Sequence, residues 1–90
     1  MHNNAPKGWE ILQDQKLTRT FAFPDFAQAL AFTNLVGALA EAADHHPDIY
    51  LSWGKVRIEL WTHTAGGLTE KDFLLANNIN SLRQTPSEPI

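Results

Sequence analysis

Lys55-Val56-Arg57-Ile58-Glu59-Leu60-Trp61-Thr62-His63 decides the fold, because its side chains alternate in character at a period of two. Val56, Ile58 and Leu60 share one face, and Lys55, Arg57, Glu59, Trp61 and His63 share the other. A strand buried on one side and polar on the other belongs to an antiparallel sheet. Just before it, Trp53-Gly54-Lys55 supplies a turn, and Asp48 to Trp53, with Ile49, Tyr50 and Leu51, reads as the preceding strand. Gly66-Gly67 ends the pattern on the other side.

Working outward, the period changes to that of a helix. Asp25 is a good N-cap with Gln28 three residues on, and the spacing predicts a helix from Phe26 to about Ala43. Phe26, Ala29, Leu30, Val36, Leu39, Ala40 and Ala43 recur at three- and four-residue intervals, while Thr33, Asn34, Gly37 and Glu41 make only a narrow polar stripe. Apolar cover this wide predicts a second buried face, most simply against another subunit. Upstream, Gly8 to Leu12 and Leu17 to Phe23 read as a hairpin about a turn at Asp14-Gln15-Lys16, with Leu17, Phe21 and Phe23 on one face and Arg19 sharing it. Downstream, Thr69 caps a last helix with Asp72 at its third position, and Phe73, Leu74, Ala76, Ile79 and Leu82 form its stripe. Residues 1–7 and 84–90 are expected to be loose ends. The order β-β-α-β-β-α implies one α+β domain over 1–90, a four-stranded antiparallel sheet with both helices on one face.

The totals restrict the function classes. Ninety residues bury roughly 60–65% of the unfolded chain's surface, so the core is thin and an oligomer would help. A formal charge of −3 without a basic run argues against direct nucleic-acid binding. The absence of cysteine removes disulfides, thiolate nucleophiles and Cys-ligated zinc. Met1 to Pro6 holds no apolar signal core, and no segment approaches the roughly 20 apolar residues that span a membrane, so a cytoplasmic location is expected.

Chemistry concentrates at Asp44-His45-His46-Pro47, with Glu41 one helical turn before it and His63 at the end of the best strand. Pro47 disfavours helical geometry at His46, so the two imidazoles point in different directions. The negative end of the helix dipole, together with Glu41 and Asp44, favours protonated histidine or holds one ring nitrogen. These features suit a general acid near neutral pH. A zinc site is not expected, because adjacent histidines before a proline do not easily face one ion. Trp9 and Trp53 read as core or rim, and capping explains Asp72 by itself.

Glu41, His45-His46-Pro47, Trp53, His63 and Asp72 together resemble the signature of the pterin-4a-carbinolamine dehydratase family. Gly8-Trp9, Phe23 to Phe26 and Gly67-Leu68-Thr69 agree with its flanks, and the likeness covers roughly residues 8–83. The resemblance implies a lyase that removes water from a 4a-hydroxytetrahydropterin, giving the quinonoid dihydropterin and recycling the tetrahydrobiopterin-type cofactor of aromatic amino-acid hydroxylases. It makes His45 and His63 the candidate acids and His46 a third catalytic and pterin-binding position. Asp44, Pro47, Glu41, Trp61 and Thr62 become substrate-binding candidates, with Asp72, Trp53 and Trp9 supporting them. Trp61 stands where a small residue is familiar, and could stack on a flat ring. No cofactor is implied, since the pterin is the substrate. A homodimer or homotetramer is expected, and a hydroxylase or transcription regulator as partner is consistent with the family. The rival expectation is a non-catalytic module that stabilises the oligomer of such a partner.

Overall fold

The structure, a computed structural model, describes residues 5–87, and beyond Leu82 the backbone alone. Its elements are β1 (Glu10–Leu12), β2 (Lys16–Ala22), α1 (Phe26–Ala43), β3 (Asp48–Ser52), β4 (Lys55–Leu60), a 3₁₀ turn (His63–Ala65) and α2 (Glu70–Ser87). The strands form one antiparallel sheet in the order β1-β2-β4-β3. This is the α+β fold expected from the periods.

Register brings the inward residues into rows. Leu17 faces Leu60, Phe21 faces Val56, and Ile58 lies between Arg19 and Ile49. Leu17, Phe21, Val56, Ile58 and Leu60 are buried in one cluster with Ala29, Phe32 and Val36 of α1 and Leu75, Ala76 and Ile79 of α2. Phe32 packs on both Phe21 and Phe23, at 4.7 and 5.1 Å between ring centres. Burial at about 25 cal/mol per Å² of apolar surface makes this single cluster the main source of stability.

The ends of the elements have local causes. At the first hairpin Gln13 and Asp14 both take positive φ, 52° and 60°, and Gln15 N–H donates to the Leu12 carbonyl at 2.8 Å. Two such residues match the twist of the flanking strands, so the turn falls one residue earlier than expected. Asp25 caps α1, its carboxylate accepting the Gln28 N–H at 2.9 Å. Asp44 closes α1 in the left-handed region at φ 52°, ψ 44°, with Asp44 N–H donating to Glu41 and His45 N–H to Ala40. That is a Schellman ending built on aspartate instead of glycine.

Several expectations need correction. Phe26 and Leu30 are exposed, and Phe32 takes their place in the core, because the stripe that meets the sheet runs Ala29, Phe32, Val36, Ala40. By length and composition α1 could cross a membrane, contrary to the reading of the sequence, yet those four residues are buried inside the domain. The strand expected to reach His63 stops at Leu60. Its ladder ends with Leu17 on one side and Asp48 on the other, where Pro47 has no N–H to continue it. Residues 5–7 are not loose: the Lys7 carbonyl accepts from Arg19 Nη1 at 2.9 Å and from Asn80 Nδ2 at 3.0 Å. At the other end the α2 backbone continues to Ser87. Residues 1–4 and 88–90 of the expected loose ends lie outside the described residues.

Candidate active site

Asp72 organises the site. Its carboxylate is fully buried, 0% exposed, at the third position of α2. Oδ2 accepts the Thr69 N–H at 2.9 Å, which is the expected capping duty, and the Thr62 hydroxyl at 2.8 Å. Oδ1 lies 2.6 Å from His45 Nε2. One carboxylate therefore ties together the end of α1, the segment after β4 and the start of α2. A charge with no solvent contact persists only when its lone pairs are matched in this way.

Proton positions follow from the donors available. An ionised carboxylate only accepts, so His45 Nε2 carries the proton in the Asp72 bond. His45 Nδ1 is then the atom free for proton transfer to a ligand, on a side chain still 11% exposed. Thr62 donates to Asp72, so Thr69 Oγ1, 2.8 Å from Thr62 Oγ1, donates to Thr62 in turn. Sequence reasoning missed the part of Thr69 in this relay, although the cap spacing Thr69 to Asp72 marked both residues.

The two adjacent histidines diverge as the proline requires. His46 points away from Asp72, its Nε2 2.7 Å from Glu41 Oε2 in an exposed pair. His63 is exposed on the 3₁₀ turn directly after Thr62, and its ring stacks on Trp61 at 4.6 Å with a tilt of 31°. Thr62 is itself buried with its hydroxyl engaged, so it positions Asp72 and does not offer that hydroxyl to a ligand. Asp44 serves as the left-handed closing residue of α1, which aims His45 at α2.

Trp9 and Trp53 lie elsewhere. Trp9 is core, packed edge-on against Phe21 with its Nε1 donating to Asn80 at 2.9 Å. Trp53 is 68% exposed in the β3–β4 turn. Five strand residues separate it from Pro47, six steps or roughly 20 Å at the rise of a strand. Among the described residues neither shows a ring contact or hydrogen bond to His45, His46 or His63. Among the described residues no three His, Asp or Glu side chains gather as metal ligands would.

A family model described as "Pterin 4 alpha carbinolamine dehydratase" matches residues 1–82. The chain belongs to this family. A Chlorobium limicola protein named "Putative pterin-4-alpha-carbinolamine dehydratase" is 52% identical over 79 residues, covering 84% of this chain and 70% of that one. A protein of the same name from Alkaliphilus metalliredigens is 49% identical over 72 residues, 80% of this chain and 65% of its own. Among solved structures, a transcriptional coactivator/pterin dehydratase from Brucella melitensis superposes with a TM-score of 0.79 at 34% identity, covering 84% of this chain and 82% of that one. A pterin dehydratase-like protein identified as a RuBisCO assembly factor in the alpha-carboxysome gives 0.71 at 27% identity, covering 91% and 93%.

The open face of the sheet completes the surroundings of the site. Glu59, expected on a polar surface, is largely buried beneath Lys16 Nζ at 3.3 Å and Arg57 Nη2 at 3.0 Å. Burial raises its pKa, but the hydrogen bonds and charges of Arg57 and Lys16 outweigh that and hold it below the ordinary 4.5. Lys16 also lies over the Trp61 ring, 4.6 Å from its centre.

Proposed function

We propose that this chain dehydrates a 4a-hydroxytetrahydropterin to the quinonoid dihydropterin. The observation that carries the reading is the His45–Asp72 pair at 2.6 Å, in a member of this family, with His63 exposed nearby in sequence to Thr62 on the same carboxylate. Asp72 accepts from Nε2 and so orients the His45 ring, leaving Nδ1 of the protonated ring as the donor. The proton goes to the C4a hydroxyl, the C4a–O bond breaks, and water leaves. The N5 lone pair forms the C4a=N5 bond, N5 then loses its proton, and the histidine is restored to its starting state. His63 serves as the alternative acid for a hydroxyl on the other face of the ring, and His46 with Glu41 binds the pterin.

Measuring carbinolamine dehydration with purified protein tests this directly. Acceleration over the spontaneous reaction is expected, and none at micromolar enzyme would sink the proposal. His45→Ala and His63→Ala should each spare one stereoisomer, while the double variant falls towards the uncatalysed rate, a loss on the order of 10²–10⁴-fold. Chelator dialysis should leave the rate unchanged, because His45 and His46 face different carboxylates and imidazole alone supplies the proton.

Assembly into a homodimer or homotetramer belongs to the same proposal. It is supported by Phe26, Leu30 and Leu35 standing exposed on α1 beside Ala27, Ala31 and Ala38. Sedimentation as a monomer at micromolar concentration would remove it. The same face supports a binding role for a hydroxylase or regulator, and a folded but inactive protein would favour that second reading. Action in the cytoplasm accords with the proposed cofactor recycling, and fractionation of cells would test it.

A further inference from the structure

Trp61 has neighbours that neither the core nor the Asp72 network requires. Lys16 and Trp61 each adjoin the last β2–β4 pair, Leu17–Leu60, and by strand alternation from those buried residues both lie towards the open face of the sheet. The Lys16 ammonium lies 4.6 Å from the centre of the indole and is pinned at its other side by Glu59 Oε1 at 3.3 Å. Glu59 is in turn held by Arg57. On the far side of this series the His63 ring stacks on the same indole at 4.6 Å. Glu59, Lys16, Trp61 and His63 thus form a ladder that ends on an imidazole.

The two candidate acids are therefore held by different means. His45 is fixed by a carboxylate, whereas the described residues show no ion pair or side-chain hydrogen bond to the His63 ring. An exposed histidine on a short turn rotates about two side-chain torsions unless something restricts it. Stacking on a large flat ring restricts both, and the indole itself is held by a cation over its π system. An acid must meet the leaving oxygen in a narrow range of directions, so this restraint bears on rate.

We propose that Trp61 is a positioning residue for His63, clamped by Lys16, and not a stacking platform for the pterin. The inference rests on the dehydratase reading and assigns the residue that orients its second acid. Lys16 and Trp61 are 45 residues apart in sequence and are brought together where the β2–β4 ladder ends at Leu17–Leu60.

A double-mutant cycle with an NMR arm tests it. For the stereoisomer that depends on His63, Trp61→Ala should lower kcat about tenfold with KM altered less than about twofold. On a His63→Ala background the same change should cost less than about twofold, since no ring remains to be aimed. Trp61→Phe keeps a stacking face and should recover most of the rate. In wild type the His63 ring protons should show upfield ring-current shifts, lost in Trp61→Ala and reduced in Lys16→Met, which keeps the indole and guards against a folding artefact. A rise in KM at constant kcat, or an equal loss on the His63→Ala background, would overturn the proposal in favour of pterin stacking. If the wild-type protein dehydrates nothing, the dehydratase reading fails, while the ring-current shifts still decide whether Trp61 orients His63. Unstacked shifts in wild type overturn it under either result.

Discussion

Replacing Asp72 by asparagine changes one atom's identity at the most constrained point of the site. The carboxylate has no solvent contact and accepts three hydrogen bonds, from His45 at 2.6 Å, Thr62 at 2.8 Å and Thr69 at 2.9 Å. The Thr69 backbone N–H can only donate, so the asparagine oxygen must stay on that side. The amide NH₂ then faces His45 Nε2, which can accept only if its proton moves to Nδ1. All three contacts survive in number but lose their charge. A bond to a charged group is worth about 1.5–3 kcal/mol against about 0.5–1.5 for a neutral one, so three bonds lose roughly 3 kcal/mol. Relief of the buried charge returns part of this, for a net cost of about 2 kcal/mol. Urea denaturation at pH 7 and fixed protein concentration should show a lower midpoint with an unchanged slope. Nitrogen chemical shifts of His45 should show Nε2 losing its proton, and turnover of the His45-dependent stereoisomer should fall with it. A variant within about 0.5 kcal/mol of wild type, with His45 in its original tautomer, would refute the reasoning.

Three further perturbations follow from named contacts. Asp44→Gly should raise stability by about 0.5–1 kcal/mol in denaturation, whereas Asp44→Ala should lower it by about 1 kcal/mol, because φ is 52° there and alanine lacks aspartate's tolerance of that region. Gly8→Ala should cost about 2 kcal/mol: φ is 85°, and a Cβ would lie 2.5 Å from Arg19 Cζ, displacing that guanidinium from Lys7 and Asn80. A cost below about 0.5 kcal/mol would show that the first strand tolerates a different entry. Glu59→Gln should destabilise by about 1 kcal/mol at pH 7, discounted because Lys16 and Arg57 are partly solvated. The folded pKa of Glu59 is depressed, so its contribution is present above 4.5 and is lost as the pH falls through the lower folded value. A gap between wild type and Glu59→Gln that persisted in acid below that value would contradict the assignment.

What the chain states locally, it states well. The limits of α1 at Phe26 and Ala43, the Asp25 cap and the inward row Val56, Ile58, Leu60 all follow from periodicity and end chemistry, which act between residues a few positions apart. The divergence of His45 from His46 is equally local, since Pro47 alone demands it. What the tertiary structure decided are the pairings between distant segments. Which stripe of α1 meets the sheet depends on the packing of Phe32 between Phe21 and Phe23, and not on hydrophobicity, which Phe26 and Leu30 share. Asp72 read as a cap because Thr69 stands three residues away. Its bond to His45 spans 27 residues and exists because a left-handed Asp44 turns the chain towards α2. Trp61 read as a substrate-binding candidate able to stack on a flat ring, because nothing near it in sequence announces Lys16. Periodicity reports which side of an element is apolar, while the partner of a buried charge or a stacked ring is set by the register of strands and the packing of helices that bring it within reach.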